Sequence, residues 1–421
     1  MKKLLALLLA LLMVFSLVAC GAEKVEEEAP VEEAPVEEAP VEEAPVEEAP
    51  EAPEVKIGAI LVHDENSGYD MAHIEGLNAA VAALGMDPAA ISYKYNIPED
   101  ESCYDAAAEL ADDGCTIIFS DSYGHQTYMA QAAEEFPEVT FVACTGDMAA
   151  ASGLDNVKNI FPFTYESRYV SGIVAGMKLK ALMDEGLVTD PYVGYVGAFP
   201  YAEVVSGYTA FFLGIQSIVP EAHMDVQYTN SWYDPVAENE AAIALMGRGC
   251  VIIGQHADST GAPSAVQAEW EKGSQVYSVG YNIDMLAVAP DAALTSAQNV
   301  WSVLYQATLE SFLAGEVPTD YAAGIAAGAQ QISALGPNVA EGTQEAVDAA
   351  WAAIADGSLK VFDTSKFTVG GEAVTTAFAL DTDGDWVNDT AEAIIDGAFV
   401  ESFHRSAPYF SLRIDGITEL N

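Results

Sequence analysis

Short, wholly apolar runs recur along the chain and restrict what it can fold into. Thr116-Ile117-Ile118-Phe119 and Val251-Ile252-Ile253 show no polar alternation. A strand that is apolar at every position must be covered on both faces, as in parallel sheets flanked by helices. Helix-like stretches follow these runs in turn. Lys56–Val62 precedes Met71–Leu84, Cys115–Asp121 precedes His125–Phe136, and Val193–Phe199 precedes Val204–Ile218. Cys250–His256 likewise precedes Pro263–Lys272, and the run before the long helix Glu166–Glu185 is Asn159–Tyr165. Strand–helix alternation of this kind predicts an α/β fold with right-handed crossovers. The units are too many for one sheet, so two doubly wound lobes are expected. Lobe 1 is assigned residues 55–160 and about 286–320, and lobe 2 residues 161–285 and about 321–421.

The first 54 residues have another character. Lys2 and Lys3, the apolar run Leu4–Phe15 and Leu17-Val18-Ala19-Cys20-Gly21 predict a signal peptide, residues 1–19, with a lipobox-like cleavage site. Cys20 is then the expected lipidation site, and multiple acyl chains would anchor it stably. Residues 20–54 follow as an acidic linker, with Val-Glu-Glu-Ala-Pro repeated four times from Val31 to Pro50. Proline every fifth residue forbids regular helix and like charges extend the chain, so the segment predicts a spacer of up to about 100 Å. The protein is expected to be extracytoplasmic, touching the membrane only through its lipid.

The formal net charge of −50 argues against nucleic acid as a partner. Cys103, Cys115, Cys144 and Cys250 have no zinc-like spacing and fit small core residues, while a Cys103–Cys115 disulfide stays open. No catalytic set or glycine-rich nucleotide loop is visible, so no enzyme and no cofactor are expected. One ion remains open. Asp381, Asp383, Asp385, Asp389 and Glu392 occupy positions 1, 3, 5, 9 and 12 of an EF-hand-like loop, although Trp386 replaces the usual glycine. Such a loop would hold a structural Ca²⁺; the alternative is a solvated acidic turn.

In open α/β sheets, ligands sit beyond the carboxyl ends of the strands. The segments there include His63–Tyr69, Asp121–Gly124, Trp232–Asp234, Gln255–Asp258 and Tyr281–Asp284, rich in rings, amides and carboxylates and devoid of Lys and Arg. This lining suits a planar or hydroxylated neutral ligand rather than a phosphate. Tyr69 and Trp232 are the candidates for a sandwich around a flat ring, with Tyr123 as a third wall. His256 and Asp258 could read ring nitrogens or stabilise their own loop, and Asn282 could meet ligand or cap a turn.

Several motifs carry a resemblance. Phe136-Pro137-Glu138-Val139-Thr140-Phe141, Tyr169–Gly176, Gly194–Pro200, Ser231-Trp232-Tyr233-Asp234-Pro235, Gln255–Ser259 and Val279–Met285 resemble the BMP (basic membrane protein) family of substrate-binding lipoproteins. The resemblance implies a type I periplasmic-binding-protein fold, two lobes joined by a hinge. It also implies a monomeric receptor that delivers a purine-like ligand to an ABC permease. Gly68-Tyr69-Asp70 stands where purine nucleoside receptors of the family place a Phe-Asn pair that meets the base. Asn282 stands where they carry an Asp for ribose, and Asn299 near their ligand-facing Lys. These departures shift the expectation from an intact nucleoside toward a free base. A sensor or sugar receptor of the same fold is the alternative reading.

Overall fold

Ile57–Ile60 (β1) is buried at every position, as its composition requires, and so are Ile117–Ser120 (β3), Ile252–His256 (β8) and Tyr277–Tyr281 (β9). These strands are the interior of two sheets in a computed structural model that describes residues 55–379 and 391–421. The first sheet adds Ile91–Lys94 (β2), Thr140–Ala143 (β4), Val157–Pro162 (β5) and Asp320–Ala323 (β11), in the order β11-β5-β4-β3-β1-β2. The second contains Tyr192–Gly197 (β6), His223–Tyr228 (β7), Ala293–Asn299 (β10) and Gln330–Ile332 (β12). Its order is β12-β10-β9-β8-β6-β7, and a last strand, Ile417–Glu419, is added beside β7. The two orders match strand for strand, so each lobe repeats one winding. All pairings within the sheets are parallel except β10 with β12.

The expected lobe boundaries move at the later crossings. Residues 286–320 were assigned to lobe 1, yet β10 lies in the second sheet, where Ala297 pairs with Tyr281 of β9. Residues from 321 were assigned to lobe 2, yet β11 joins the first sheet beside β5. Helix α8 (Trp301–Ala314) returns to lobe 1, where Trp301, Leu304 and Leu309 pack with Leu77 and Val81 of α1 (Gly68–Ala83). Among the described residues the chain therefore crosses between lobes three times, after β5, after β10 and after β11.

These crossings share one hydrogen-bond network. Asn299 Oδ1 accepts from Thr164 Oγ1 at 2.9 Å and from Gln330 Nε2 at 2.8 Å, and Ser167 Oγ donates to Gln330 Oε1 at 2.5 Å. Thr164 and Ser167 stand beside the first crossing, Asn299 beside the second and Gln330 beside the third, and all are buried.

Lobe 2 is built around the contact of α4 (Thr164–Asp184) with α5 (Ala202–Gln216). Gly172 lies against the Phe211 carbonyl and Gly214 against the Tyr169 carbonyl, so neither site has room for a Cβ. Cys103, Cys115, Cys144 and Cys250 are buried free thiols, so the open Cys103–Cys115 disulfide is not formed. Of the acidic loop, Asp381, Asp383, Asp385 and Asp389 lie outside the described residues. Glu392 accepts hydrogen bonds from Thr376 Oγ1 and from the Ala377 and Ile394 amides. Among the described residues no helix is long and apolar enough to cross a membrane.

The helix contact gives a direct test. Gly172→Ala forces α4 and α5 apart and should cost about 1–3 kcal/mol or more, as overpacking does. Urea unfolding measures it; an unchanged midpoint would contradict the packing.

Candidate functional site

The carboxyl ends of both sheets face one another across a cleft. Tyr69 sits in the first turn of α1, whose N-cap is Ser67. Its hydroxyl donates to the Asp121 carbonyl at 2.8 Å and the Cys144 carbonyl at 3.0 Å, beyond the ends of β3 and β4. The ring is thereby pinned at both ends, with one side lining the cleft. Trp232 enters from the loop after β7 and is half-buried, with Phe199 at 5.1 Å and Tyr201 at 6.0 Å between ring centroids. Its carbonyl accepts from the Asp258 amide at 2.9 Å, tying two cleft loops together.

The lobes are closed on one another. His63 of lobe 1 lies 5.5 Å from Tyr233 of lobe 2, and Tyr123 lies 6.3 Å from Tyr201. Gly68 rests on Ile283, where a Cβ would come within 3.2 Å. Between them is a narrow cavity, lined among others by Tyr69, Asp121, Tyr123, Glu203, Trp232, His256, Asp258 and Tyr281.

Five of the seven residues expected at a ligand, Tyr69, Tyr123, Trp232, His256 and Asp258, are thus gathered around one cavity. Asp70 and Asn282 are not on its wall. Asp70 is fully buried behind it, where Oδ1 accepts from the His63 amide at 2.7 Å. Asn282, at φ 61°, donates to Asp258 Oδ1 at 3.0 Å and orients that carboxyl from behind. A side-chain amide tolerates this left-handed backbone better than most residues do.

Arg168, Glu203 and Tyr281 were not among the candidates. Arg168 rises from α4 with 1% of its surface exposed and lies 3.7 Å above the Tyr281 ring. It donates through Nη1 to the Gln255 carbonyl at 2.6 Å, while Nε and Nη2 have no partner among the described residues. The absence of bases from the strand-end loops holds; the guanidinium comes from a helix instead. The available signal was an Arg set immediately before the uncharged run Tyr169–Met177.

Acids converge from both sides. Burial, then the neighbouring Asp70, pushes Asp121 well above the usual carboxylate range. Burial also raises Asp258, with Glu238, Asp70 and Glu203 adding to the effect. For Asp70 burial works in the same direction, but hydrogen bonds from His63 and Ser67 outweigh it and hold the group low. Glu203 is pushed up to about 7 by burial, against the pull of Arg168. His256 lies 3.3 Å from Glu203, and burial together with Arg168 drives its pKa well down, so its ring is neutral. The walls are therefore aromatic, and the polar groups include carboxyls that keep their protons near neutrality. Asp70 Oδ2, Asp121 Oδ2 and His256 Nδ1 are buried without hydrogen-bond partners among the described residues. No group of three His, Cys, Asp or Glu among the described residues is placed to hold a metal ion. The set favours binding over catalysis.

Comparison with known proteins agrees with this architecture. The family described as "ABC transporter substrate-binding protein PnrA-like" matches residues 61–355. A purine-binding protein of Brucella abortus is 33% identical over 253 residues, covering 60% of this chain and 67% of the relative. A putative ABC transporter glucose-binding protein of Haloferax volcanii is 33% identical over 252 residues, covering 60% of each chain. Among solved structures, a solute-binding protein of an Aeropyrum pernix ABC transporter system superposes with a TM-score of 0.61 at 16% identity. The match covers 73% of this chain and 93% of that one. Its counterpart from Conexibacter woesei gives 0.57 at 22% identity, covering 73% and 98%. At these identities the structures speak for the fold alone.

The buried acids set a pH dependence. Glu166, Glu203 and Glu238 are raised by burial to about 7 and Glu401 to about 8. The folded state holds protons there that the unfolded chain has lost, so stability falls as pH rises. Buried His73, His125 and His256 are lowered and act in the opposite sense, but only below their ordinary value of 6.5. Between pH 6.5 and 8 the acids act unopposed. The thermal midpoint should drop by several degrees across that window in scanning calorimetry; a rise would contradict the burial of these carboxyls.

Proposed function

We propose a ligand for a chain that belongs to the Bmp family of PnrA-like ABC transporter substrate-binding proteins: a purine nucleobase or nucleoside, held between the lobes and delivered to the permease. The observation that carries this reading is the placement of Tyr69 and Trp232 on opposite lobes around one small cavity. Rings so placed favour a flat ligand through stacking, which adds about 0.5–1.5 kcal/mol per contact beyond area burial. The buried carboxyls and the neutral His256 offer both donors and acceptors at the edge of such a ring. The Brucella abortus relative, named as purine-binding, supports the same class. Ligand contacts from both lobes favour the closed form, which is the form that docks on the permease.

The protein is placed outside the cytoplasmic membrane as a lipoprotein acylated on Cys20, with residues 20–54 as its tether. A tether holds the receptor near its permease and raises the local concentration there.

The test is a calorimetric screen of the purified protein against nucleobases, nucleosides and sugars. Binding of purines, weakened about threefold to tenfold by Trp232→Ala, supports the stacking reading; binding of sugars alone overturns it. For the anchor, metabolic labelling with palmitate should mark the wild type and not Cys20→Ser, and the variant should appear in the medium. Acylation of the variant would overturn the assignment.

A further inference from the structure

The family match ends at residue 355, and the chain continues with a segment that the match does not cover. This segment is rooted in lobe 2. Phe362, Phe367, Tyr409 and Phe410 belong to that lobe's core, and Ile417–Glu419 extends its sheet. Glu401 accepts from Ser206 Oγ of α5 at 2.7 Å. Between these anchors the chain reaches across to lobe 1. Arg405 Nη1 lies 3.1 Å from Asp147 Oδ2, with the side chains 7% and 3% exposed. Ser406 donates to Asp320 Oδ1 through both its amide and its hydroxyl, each at 2.8 Å.

Asp147 is also a partner of the ligand cavity. Its Oδ2 accepts from the Tyr123 hydroxyl, Oη, at 2.6 Å, and its amide donates to Gln126 Oε1 at 2.7 Å. Outside the ligand cavity lies a larger opening of about 810 Å³. It shares Tyr123, Thr145, Glu203 and Trp232 with the inner cavity and is closed on its far side by Arg405, Ala407 and Pro408. The segment therefore spans the mouth of the cleft.

We propose that residues 401–408 are a latch over the cleft, and that Arg405 is a positioning residue that retains ligand by fastening Asp147, and through it Tyr123, in the closed form. The three backbone crossings lie at the hinge and persist when the lobes part. The Arg405–Asp147 pair joins the lobes at the mouth, so opening breaks it. A fully desolvated pair of this kind acts chiefly on the rate of release. The inference rests on a ligand lying in this cleft, not on that ligand being a purine.

Two measurements test it. The first is stopped-flow release of adenine, followed by tryptophan fluorescence, from wild type, Arg405→Ala, Asp147→Asn and the double variant. Release should be at least about tenfold faster in each single variant and no faster in the double, with association changed less than about twofold. Arg405→Lys, which keeps the charge, should retain slow release. A purely structural role would lower the thermal midpoint and leave release unchanged; that result, or additive effects in the double variant, overturns the proposal. The second measurement is hydrogen exchange on the ligand-free protein. Arg405→Ala should speed exchange in residues 119–125 and 229–234, and unchanged exchange there overturns the latch. If exchange accelerates while neither adenine nor any other purine base or nucleoside binds the wild type, the purine reading fails and the latch stands.

Discussion

The side-chain amide of Asn299 holds the molecule's two halves in register. It joins Thr164 and Gln330, so all three crossings meet in one buried hydrogen-bond network. Buried amides and hydroxyls must keep their partners or lose their hydration without return. Motion of the lobes is therefore confined to a rotation that leaves this knot intact. The knot lies at the carboxyl end of β10, on the side where both sheets present their loops. Trp301 follows within two residues and packs against Gly76 of α1, which carries the constraint into the helix that bears Tyr69.

Closure gathers groups that repel or lack partners. Asp70 and Asp121 approach Asp258 and Glu203 from the opposite lobe, and burial raises three of these four. Arg168 supplies positive charge from beneath, but two of its nitrogens have no hydrogen-bond partner among the described residues. A ligand that satisfies these atoms changes the balance between open and closed forms by the difference in its contacts with the two. Chemical recognition and conformational signal are thus the same set of interactions.

Much of the fold was legible because two-sided burial leaves a pattern: β3 and β8 open on the apolar runs Ile117-Ile118-Phe119 and Ile252-Ile253 and are buried throughout. β2 left no such pattern, since Ile91-Ser92-Tyr93-Lys94 is a sheet edge with only partial burial. The crossings after β10 and β11 were expected too early, near residues 286 and 321, for another reason. Strand composition does not say which of two sheets will accept a strand, and only pairing decides it. In the site, the strand-end rule located Tyr69, Trp232, His256 and Asp258, because connectivity fixes where those loops emerge. The same rule placed Asn282 on the wall and the family resemblance placed Asp70 there, when a left-handed backbone and one turn of helix turn them behind it. Arg168 escaped because the rule looks only at loops. A lone Arg within a helix buried on nearly every side had no solvent to face, so its destination had to be polar.

The protonation of the cleft acids bears on what can be selected there. An ionised carboxylate only accepts hydrogen bonds, whereas a protonated carboxyl both donates and accepts. Sugar hydroxyls carry their own donors and are well served by ionised groups. A heterocycle presents ring nitrogens that accept beside N–H groups that donate, in a fixed plane and order. Asp121 and Asp258, which burial biases toward the protonated form, can answer both kinds of edge, while the neutral His256 ring already engages Glu203 through Nε2 and leaves Nδ1 without a partner among the described residues. Tyr69, held by two backbone carbonyls, fixes the plane in which that edge must lie. The acidity that looked in the sequence like excess charge becomes, once buried, a neutral and directional set of hydrogen-bonding groups.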